Sequence, residues 1–270
     1  MTVSIADLPN QLNGTTVVQL SDFHFDGRSL SAQILKDAIA QCEVISPELV
    51  VLTGDFVTES AQDIFALVPY LTKLSSRRGI YASFGNHDNR RPPMRQIIYK
   101  ALADHGIQPL WNEIDYPLGP TLTLVSLADW YSKEFAAAPV LQQLDNAVPR
   151  LVLSHNPDSL VAMKKLRADL VLAGHTHGGQ VVIPGWGPLP RLLQSVGTYV
   201  PARARPFIPY LRKNCDRVFR HWEWAAGLHR VGSNQLYVNR GLASYFPGRL
   251  FCPPELTLIT LVSSEFDSCD

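Results

Sequence analysis

Leu49-Val50-Val51-Leu52-Thr53-Gly54-Asp55 and Ile80-Tyr81-Ala82-Ser83-Phe84-Gly85-Asn86-His87-Asp88 are the two stretches that decide the fold. Each is a short apolar run with little polar alternation, which predicts a strand buried on both faces, as in the middle of a mostly parallel sheet. Each then stops at a glycine followed by side chains that bind metals or protons. The same construction recurs: residues 15–20 lead into Asp22 and His24, residues 151–154 into His155, and residues 170–173 into Gly174, His175 and His177. Between the early runs the apolar spacing is helical, with Ile34, Leu35, Ala38, Ile39 and Cys42 in one segment. Met94, Ile97, Ile98, Ala101 and Leu102, opened by Pro92 and Pro93, form another. Strand, helix, strand, helix predicts a βαβ progression and an α/β protein. Later, residues 121–127, 179–183, 235–239 and 256–262 read as strands with few helices between them, so a second sheet is expected in the same domain. The chain shows no internal repeat and is read as one domain over residues 1–270.

Strand ends are where sites assemble in α/β folds. A single Gly-Asp or lone histidine is ordinary turn or packing chemistry. Five of the eight histidines (His24, His87, His155, His175 and His177), two carboxylates (Asp22 and Asp55) and one amide (Asn86) at equivalent positions are more than turn chemistry produces. Imidazole, carboxylate and amide donors without thiolate suit Mn²⁺, Fe²⁺ or Zn²⁺, and seven of them are too many for one tetrahedral ion. Two divalent ions sharing a carboxylate fit better. Such a pair, about 3.5–4 Å apart, acidifies a shared water to hydroxide and clamps the attacking and leaving oxygens at phosphorus, which implies phosphoester hydrolysis.

Composition narrows the partners. Twenty-four Lys and Arg balance 24 Asp and Glu, so the global positive field of a nucleic-acid-binding protein is missing and no nucleic acid is expected. The four cysteines form no C-x-x-C pair and are read as reduced thiols of a cytoplasmic protein. The N-terminus lacks the basic start and apolar stretch of a signal peptide, and the longest uncharged stretch, 173–190, is broken by Gly, Pro and His. One segment departs from this even balance. Residues 186–224 hold five prolines and seven basic against two acidic residues, with seven interleaved aromatics, the mixture expected at a phosphate-bearing, partly apolar partner. A peripheral contact with the inner face of a membrane is the corresponding expectation.

The ordered motifs Asp22-Phe23-His24, Gly54-Asp55, Gly85-Asn86-His87-Asp88, His155 and Gly174-His175-Thr176-His177 resemble those of the calcineurin-like metallophosphoesterases. The resemblance runs from residue 15 to residue 261. It implies two mixed β-sheets packed as a sandwich flanked by helices. It also implies one metal held by Asp22, His24 and His177, a second by Asn86, His155 and His175, and Asp55 bridging both, with manganese favoured over iron or zinc. His87 would donate a proton or stabilise the leaving oxygen, and Asp88 would orient a ligand imidazole or His87. Arg90, Arg91 and Arg240 could grip a phosphate or pyrophosphate bidentately. Asn156 is read as the cap of a helix starting at Pro157, and His105, His221 and His229 as surface or packing residues.

Within the family the chain is more similar to the small bacterial phosphodiesterase branch that includes UDP-2,3-diacylglucosamine pyrophosphatases. Gly54-Asp55 continues as Phe56-Val57-Thr58-Glu59 without the Asp-Arg-Gly of protein phosphatases. His177 runs on into Gly178-Gly179-Gln180, and Asn239-Arg240-Gly241-Leu242 precedes Cys252-Pro253-Pro254-Glu255-Leu256. The resemblance therefore implies hydrolysis of a phosphodiester or pyrophosphate, with UDP-2,3-diacylglucosamine cleaved to UMP and a lipid monophosphate as the leading expectation. The alternatives are a phosphodiesterase for small soluble substrates such as cyclic nucleotides, and a non-catalytic metal-binding scaffold.

Overall fold

The computed structural model describes residues 1–196, 200–201, 203–205 and 219–264. Fourteen strands and six α-helices are named among them. The first sheet has the order β1 (Thr2–Ile5), β14 (Thr257–Ser263), β2 (Thr15–Leu20), β3 (Leu49–Thr53), β4 (Ile80–Ser83), β5 (Ile107–Pro109). The second has the order β12 (Gly227–Val231), β13 (Asn234–Val238), β9 (Leu170–Ala173), β8 (Arg150–Leu153), β7 (Thr123–Ser126), β6 (Glu113–Asp115). Within each sheet the central strands run parallel: β2, β3, β4 and β5 in one, β13, β9, β8 and β7 in the other. A two-stranded ribbon, β10 (Val182–Ile183) with β11 (Gly187–Pro188), stands apart.

Strand side chains alternate between two apolar layers, which is why the runs lack polar positions. Val17, Leu49 and Val51 meet Leu151, Leu153, Leu170 and Leu172 between the sheets. Val18, Leu20, Val50 and Leu52 face outward against α1 (Ala32–Ile45), α2 (Ile64–Leu71) and α3 (Pro92–Ala103). On the far side of the second sheet, Val125, Val152 and Val171 pack on α4 (Ala137–Leu141) and α5 (Leu160–Met163). The remaining helix, α6 (Leu189–Val196), follows the ribbon. Ser31 caps α1 by accepting from the Ile34 N–H, and the Asn156 side chain accepts from the Asp158 N–H as foreseen.

The expected sandwich of mixed sheets is present, with three differences in detail. The runs at 150–153 and 170–173 belong to the second sheet, whereas the last strand returns to the first and pairs antiparallel with β2. Residues 179–183 form a strand only at Val182 and Ile183, because Gly178, Gly179 and Gln180 all take positive φ and turn the chain. Seventeen of the 39 residues of the basic aromatic segment lie outside the described residues, including Tyr199, Phe207, Tyr210, Arg212, Lys213 and Arg217. Cys42 and Cys252 are free and buried; Cys215 and Cys269 lie outside the described residues. Among the described residues no helix is long and apolar enough to cross a membrane.

Candidate metal centre

Parallel strands deliver their carboxyl ends to one edge, and here two sheets do so at one place. Asp22 and His24 follow β2, Asp55 follows β3 and Asn86 follows β4; His155 follows β8, and His175 and His177 follow β9. Backbone hydrogen bonds tie these ends together. Within the first sheet the Asp22 N–H donates to Gly54 and the His24 N–H to Asp55, at 3.0 and 2.9 Å. Across the two sheets, Leu242 and Ala243 donate to Ser21 and Asp22 at 3.0 and 2.9 Å. Beneath the centre the buried Gln19 side chain donates to Thr53 Oγ1 and to the Ala173 carbonyl, both at 2.9 Å, so one amide joins the two sheets.

The local backbone is unusual for the residue types it carries. Asp22, His24, Asp55, His175 and His177 all have φ between 40° and 72°, the left-handed region that non-glycine residues seldom enter. Each such residue costs on the order of 1–3 kcal/mol and persists only where the surroundings over-determine it, a pattern that clusters at functional sites. Gly174 makes the close approach possible. A Cβ there would stand 3.0 Å from Ser21 Cβ and would press into the Asp22 carboxylate, so glycine is required by contact and not by φ.

The resulting donor set forms two groups linked through a third, in which His24, Asp55 and His87 also offer donor atoms within 4.8 Å of one another. Asp22, His24 and His177 offer donor atoms that all lie within 4.8 Å of one another, as do Asp55, His155 and His175. His24 Nε2 is 3.4 Å from Asp55 Oδ2 and His155 Nε2 is 3.2 Å from the same oxygen. His177 Nε2 is 3.4 Å from Asp22 Oδ1. Two pairs of imidazole nitrogens face each other, His24 with His177 at 3.1 Å and His155 with His175 at 3.2 Å. Asn86 Oδ1 is buried with no hydrogen-bond partner among the described residues. Converging imidazoles, two buried carboxylates and an orphaned amide oxygen are what a pair of divalent cations would satisfy.

Charge inside the cluster is internally compensated. Burial opposes ionisation of Asp22 and Asp55, yet the surrounding imidazoles prevail and hold both well below the usual carboxylate range. Burial also opposes the His155 cation, but Asp55 and Asp22 drive its pKa up to about 10. His177 goes the other way, down to about 3, because burial outweighs Asp22 while His24 and the Arg249 guanidinium add to it.

A family model for calcineurin-like phosphoesterases matches residues 15–179. The chain belongs to that family. Among curated proteins, the phosphodiesterase YaeI of Escherichia coli is 31% identical over 91% of this chain and 82% of its own length. The UDP-2,3-diacylglucosamine pyrophosphatase LpxG of Chlamydia muridarum is 26% identical over 92% of this chain and 84% of its own length. One crystal structure, at 9% sequence identity, shares the fold with a TM-score of 0.55 over 91% of this chain and 94% of its own. This calcineurin-like phosphoesterase is thus a metal-dependent phosphoric ester or anhydride hydrolase.

The remaining predicted residues sit around the centre. His87 is half-buried; its Nδ1 lies 2.8 Å from the Thr58 carbonyl, which fixes that nitrogen as the donor and leaves Nε2 to exchange a proton. Its backbone N–H donates to Asp55 Oδ1 at 2.9 Å, its ring packs edge-on against His24, and burial draws its pKa down. Asp88 touches neither imidazole. Fully buried, it accepts from the N–H groups of Asp55 (2.8 Å), Gly85 (2.9 Å), Phe56 (2.8 Å) and Val57 (3.4 Å), so it clamps the ends of β3 and β4. The physical reason is that its carboxylate is taken up by backbone N–H groups, three after β3 and one in its own turn. Arg90 pairs with Glu59 and Arg240 with Glu255, while Arg91 is exposed where α3 begins.

Several residues of the site carry no local sequence signal. Arg249 donates to the carbonyls of His177, Arg240, Gly241, Ala243 and Cys252, binding the loop after β13 to that after β9. Tyr245 lays its ring edge-on against His24 and His177, with centroids 4.7 and 5.3 Å away. Asp129 is buried after β7; one oxygen accepts from the Tyr131 N–H and the other has no partner among the described residues. Burial pushes its pKa up to about 6. His221, read as a surface or packing residue, stacks on Trp224 and has Nδ1 2.6 Å from the buried Asp158 carboxylate.

Proposed function

We propose that this hydrolase cleaves a phosphodiester or pyrophosphate bond at a dinuclear centre, and that UDP-2,3-diacylglucosamine, split to UMP and a lipid monophosphate, is its substrate. The observation that carries the chemistry is the convergence of seven donors into two groups sharing Asp55. Asp22, His24 and His177 hold one cation; Asn86, His155 and His175 hold the other; Asp55 bridges. Bound there, two divalent ions such as Mn²⁺ supply an acidified water and neutralise charge growing on the phosphoryl oxygens.

The chain's own residues do the rest. Asp88 keeps Asp55 in its left-handed conformation by gripping the backbone on both sides of it. His87, with Nδ1 committed to Thr58, presents Nε2 to the leaving oxygen. A buried imidazole with a lowered pKa is neutral until negative charge approaches; the arriving phosphoryl group favours its protonation, which couples the proton to substrate binding. Arg90 and Arg91, after β4, and Arg240, after β13, are the candidates to neutralise a second phosphate, Arg90 and Arg240 by giving up their pairs with Glu59 and Glu255. The lipid part of the reading rests on the pyrophosphatase relative and on the apolar rim described below. Hydrolysis of small soluble diesters is the second reading, favoured by the more similar YaeI.

The test is UMP release from UDP-2,3-diacylglucosamine in mixed micelles by the Mn²⁺-loaded protein, with bis(p-nitrophenyl) phosphate alongside. Release faster than aryl diester turnover is expected. Turnover of the aryl diester alone overturns the lipid substrate and keeps the metal chemistry.

A further inference from the structure

We infer that the rim beside the metal centre is a docking surface for an anionic lipid bilayer, built from two loops of which the sequence marked only one. The first loop is the ribbon β10–β11 and its tip; the second runs from Tyr245 to Cys252. They are stitched together where Val182 donates to Leu250 and Leu250 donates to Gln180, both at 2.9 Å, and where the Gln180 side chain accepts from the Tyr245 N–H. Large apolar side chains on these two short loops are left in solvent: Trp186 is 72% exposed, Phe246 86% and Phe251 67%. Ile183 and Leu250 are exposed beside them. Scattered exposed apolar residues are ordinary, but five on two cross-linked loops, led by a tryptophan at a ribbon tip, are the composition of a membrane-interface anchor.

Charge selects the occupant. Arg191 and Arg240 line the cavity beside Phe251, with Glu223 as the one acidic residue among its lining residues. The second loop, 245–252, has no acidic residue, and its Arg249 is committed to backbone carbonyls. An excess of arginine over acid beside exposed aromatics fits an anionic leaflet. Position supplies the purpose. Tyr245 packs on His24 and His177, and Cys252 Sγ donates to the His177 carbonyl at 3.4 Å, so the rim and the metal centre share a wall. A bilayer seated on it brings head-group phosphates to the donor set. In this respect the inference deepens the lipid-linked substrate proposed above, but its test does not depend on that substrate.

The experiment is sedimentation of the full chain with phosphatidylcholine vesicles and with vesicles of phosphatidylcholine and phosphatidylglycerol at three to one. Binding to the anionic vesicles, weakened by salt, is expected. The triple variant Trp186→Ser, Phe246→Ser, Phe251→Ser should bind at least about tenfold more weakly, with bis(p-nitrophenyl) phosphate turnover unchanged. Trp186→Phe keeps the apolar bulk; it should sediment like the wild type yet lose the fluorescence quenching that brominated lipids produce in the wild type. Failure of the wild type to bind anionic vesicles, or equal binding by the triple variant, overturns the inference. Because aryl diester turnover is read in the same samples, that failure is separable from failure of the hydrolase reading.

Discussion

Replacing Asp88 by Asn tests the geometry of the centre without touching a donor. Asp88 is fully buried and its two oxygens accept from four backbone N–H groups, two at each oxygen. Asparagine has the same shape but only one oxygen, so its amide must face two N–H donors. The cheaper orientation surrenders Phe56 at 2.8 Å and Val57 at 3.4 Å, one good bond and one weak one. Leaving such donors buried and unpaired costs about 2–4 kcal/mol. For a chain of this size that is a loss of roughly 4–8 °C in melting temperature. Burial and the Asp55 charge push the Asp88 pKa up to about 7, so at pH 8 the wild-type group is ionised and bears a burial cost that asparagine relieves, which offsets the lost hydrogen bonds in the melting shift. Melting followed by circular dichroism, with Mn²⁺ and again in EDTA, gives the number. Aryl diester turnover should fall in parallel, because Asp55 is held by the same clamp. Turnover that stays at the wild-type level would refute the clamp.

His87→Ala should lower kcat by about 10²–10⁴ while leaving bound metal, measured by elemental analysis, at the wild-type stoichiometry; loss of metal instead would make His87 a ligand. Asp129→Asn should change the pH dependence of stability. The folded pKa, about 6, lies above the ordinary carboxylate value of 3.8, so the wild type bears no cost below about pH 4, a growing one between 4 and 6, and a constant one of about 3 kcal/mol above 6. Urea unfolding of the metal-free chain at pH 4 and pH 7.5 should therefore show a gain for the variant at the higher pH alone. An equal effect at both values would refute the reading of Asp129 as a buried, under-partnered carboxylate.

Those residues also show what was legible beforehand. The central strands could be read because burial on both faces leaves an unbroken apolar run, and the donors because each such run stops at the edge where the chain must turn. Asp129 obeys the same rule: β7 is another apolar run, and Leu127 and Ala128 lead directly to it. Arg249 could not be read by any rule of spacing. Its partners are five carbonyls from three stretches of chain, and a carbonyl has no sequence identity. The turn at 178–180 was mistaken for strand because Val181, Val182 and Ile183 continue it in an extended pattern; only the three positive φ angles separate them. The second loop of the apolar rim escaped for a related reason. Phe246, Leu250 and Phe251 look like core residues in sequence, and only their exposure marks them otherwise.

The sharing of work between backbone and side chains follows from the strain. Five donor residues sit in a conformation that each resists, and no cation could impose it on loops that were free to relax, because cation binding would then have to supply that cost as well. Here backbone and side-chain hydrogen bonds offset that cost. Asp88 grips the Asp55 turn, the strands after β2 and β13 hydrogen-bond across the two sheets, and Arg249 fastens the His177 turn to the loop after β13. The charge pattern points the same way. With Asp22 and Asp55 ionised, the His155 proton supplies positive charge inside the cluster. A centre held by such contacts would leave more of its ions' affinity for discrimination among metals and for charge developed on the substrate.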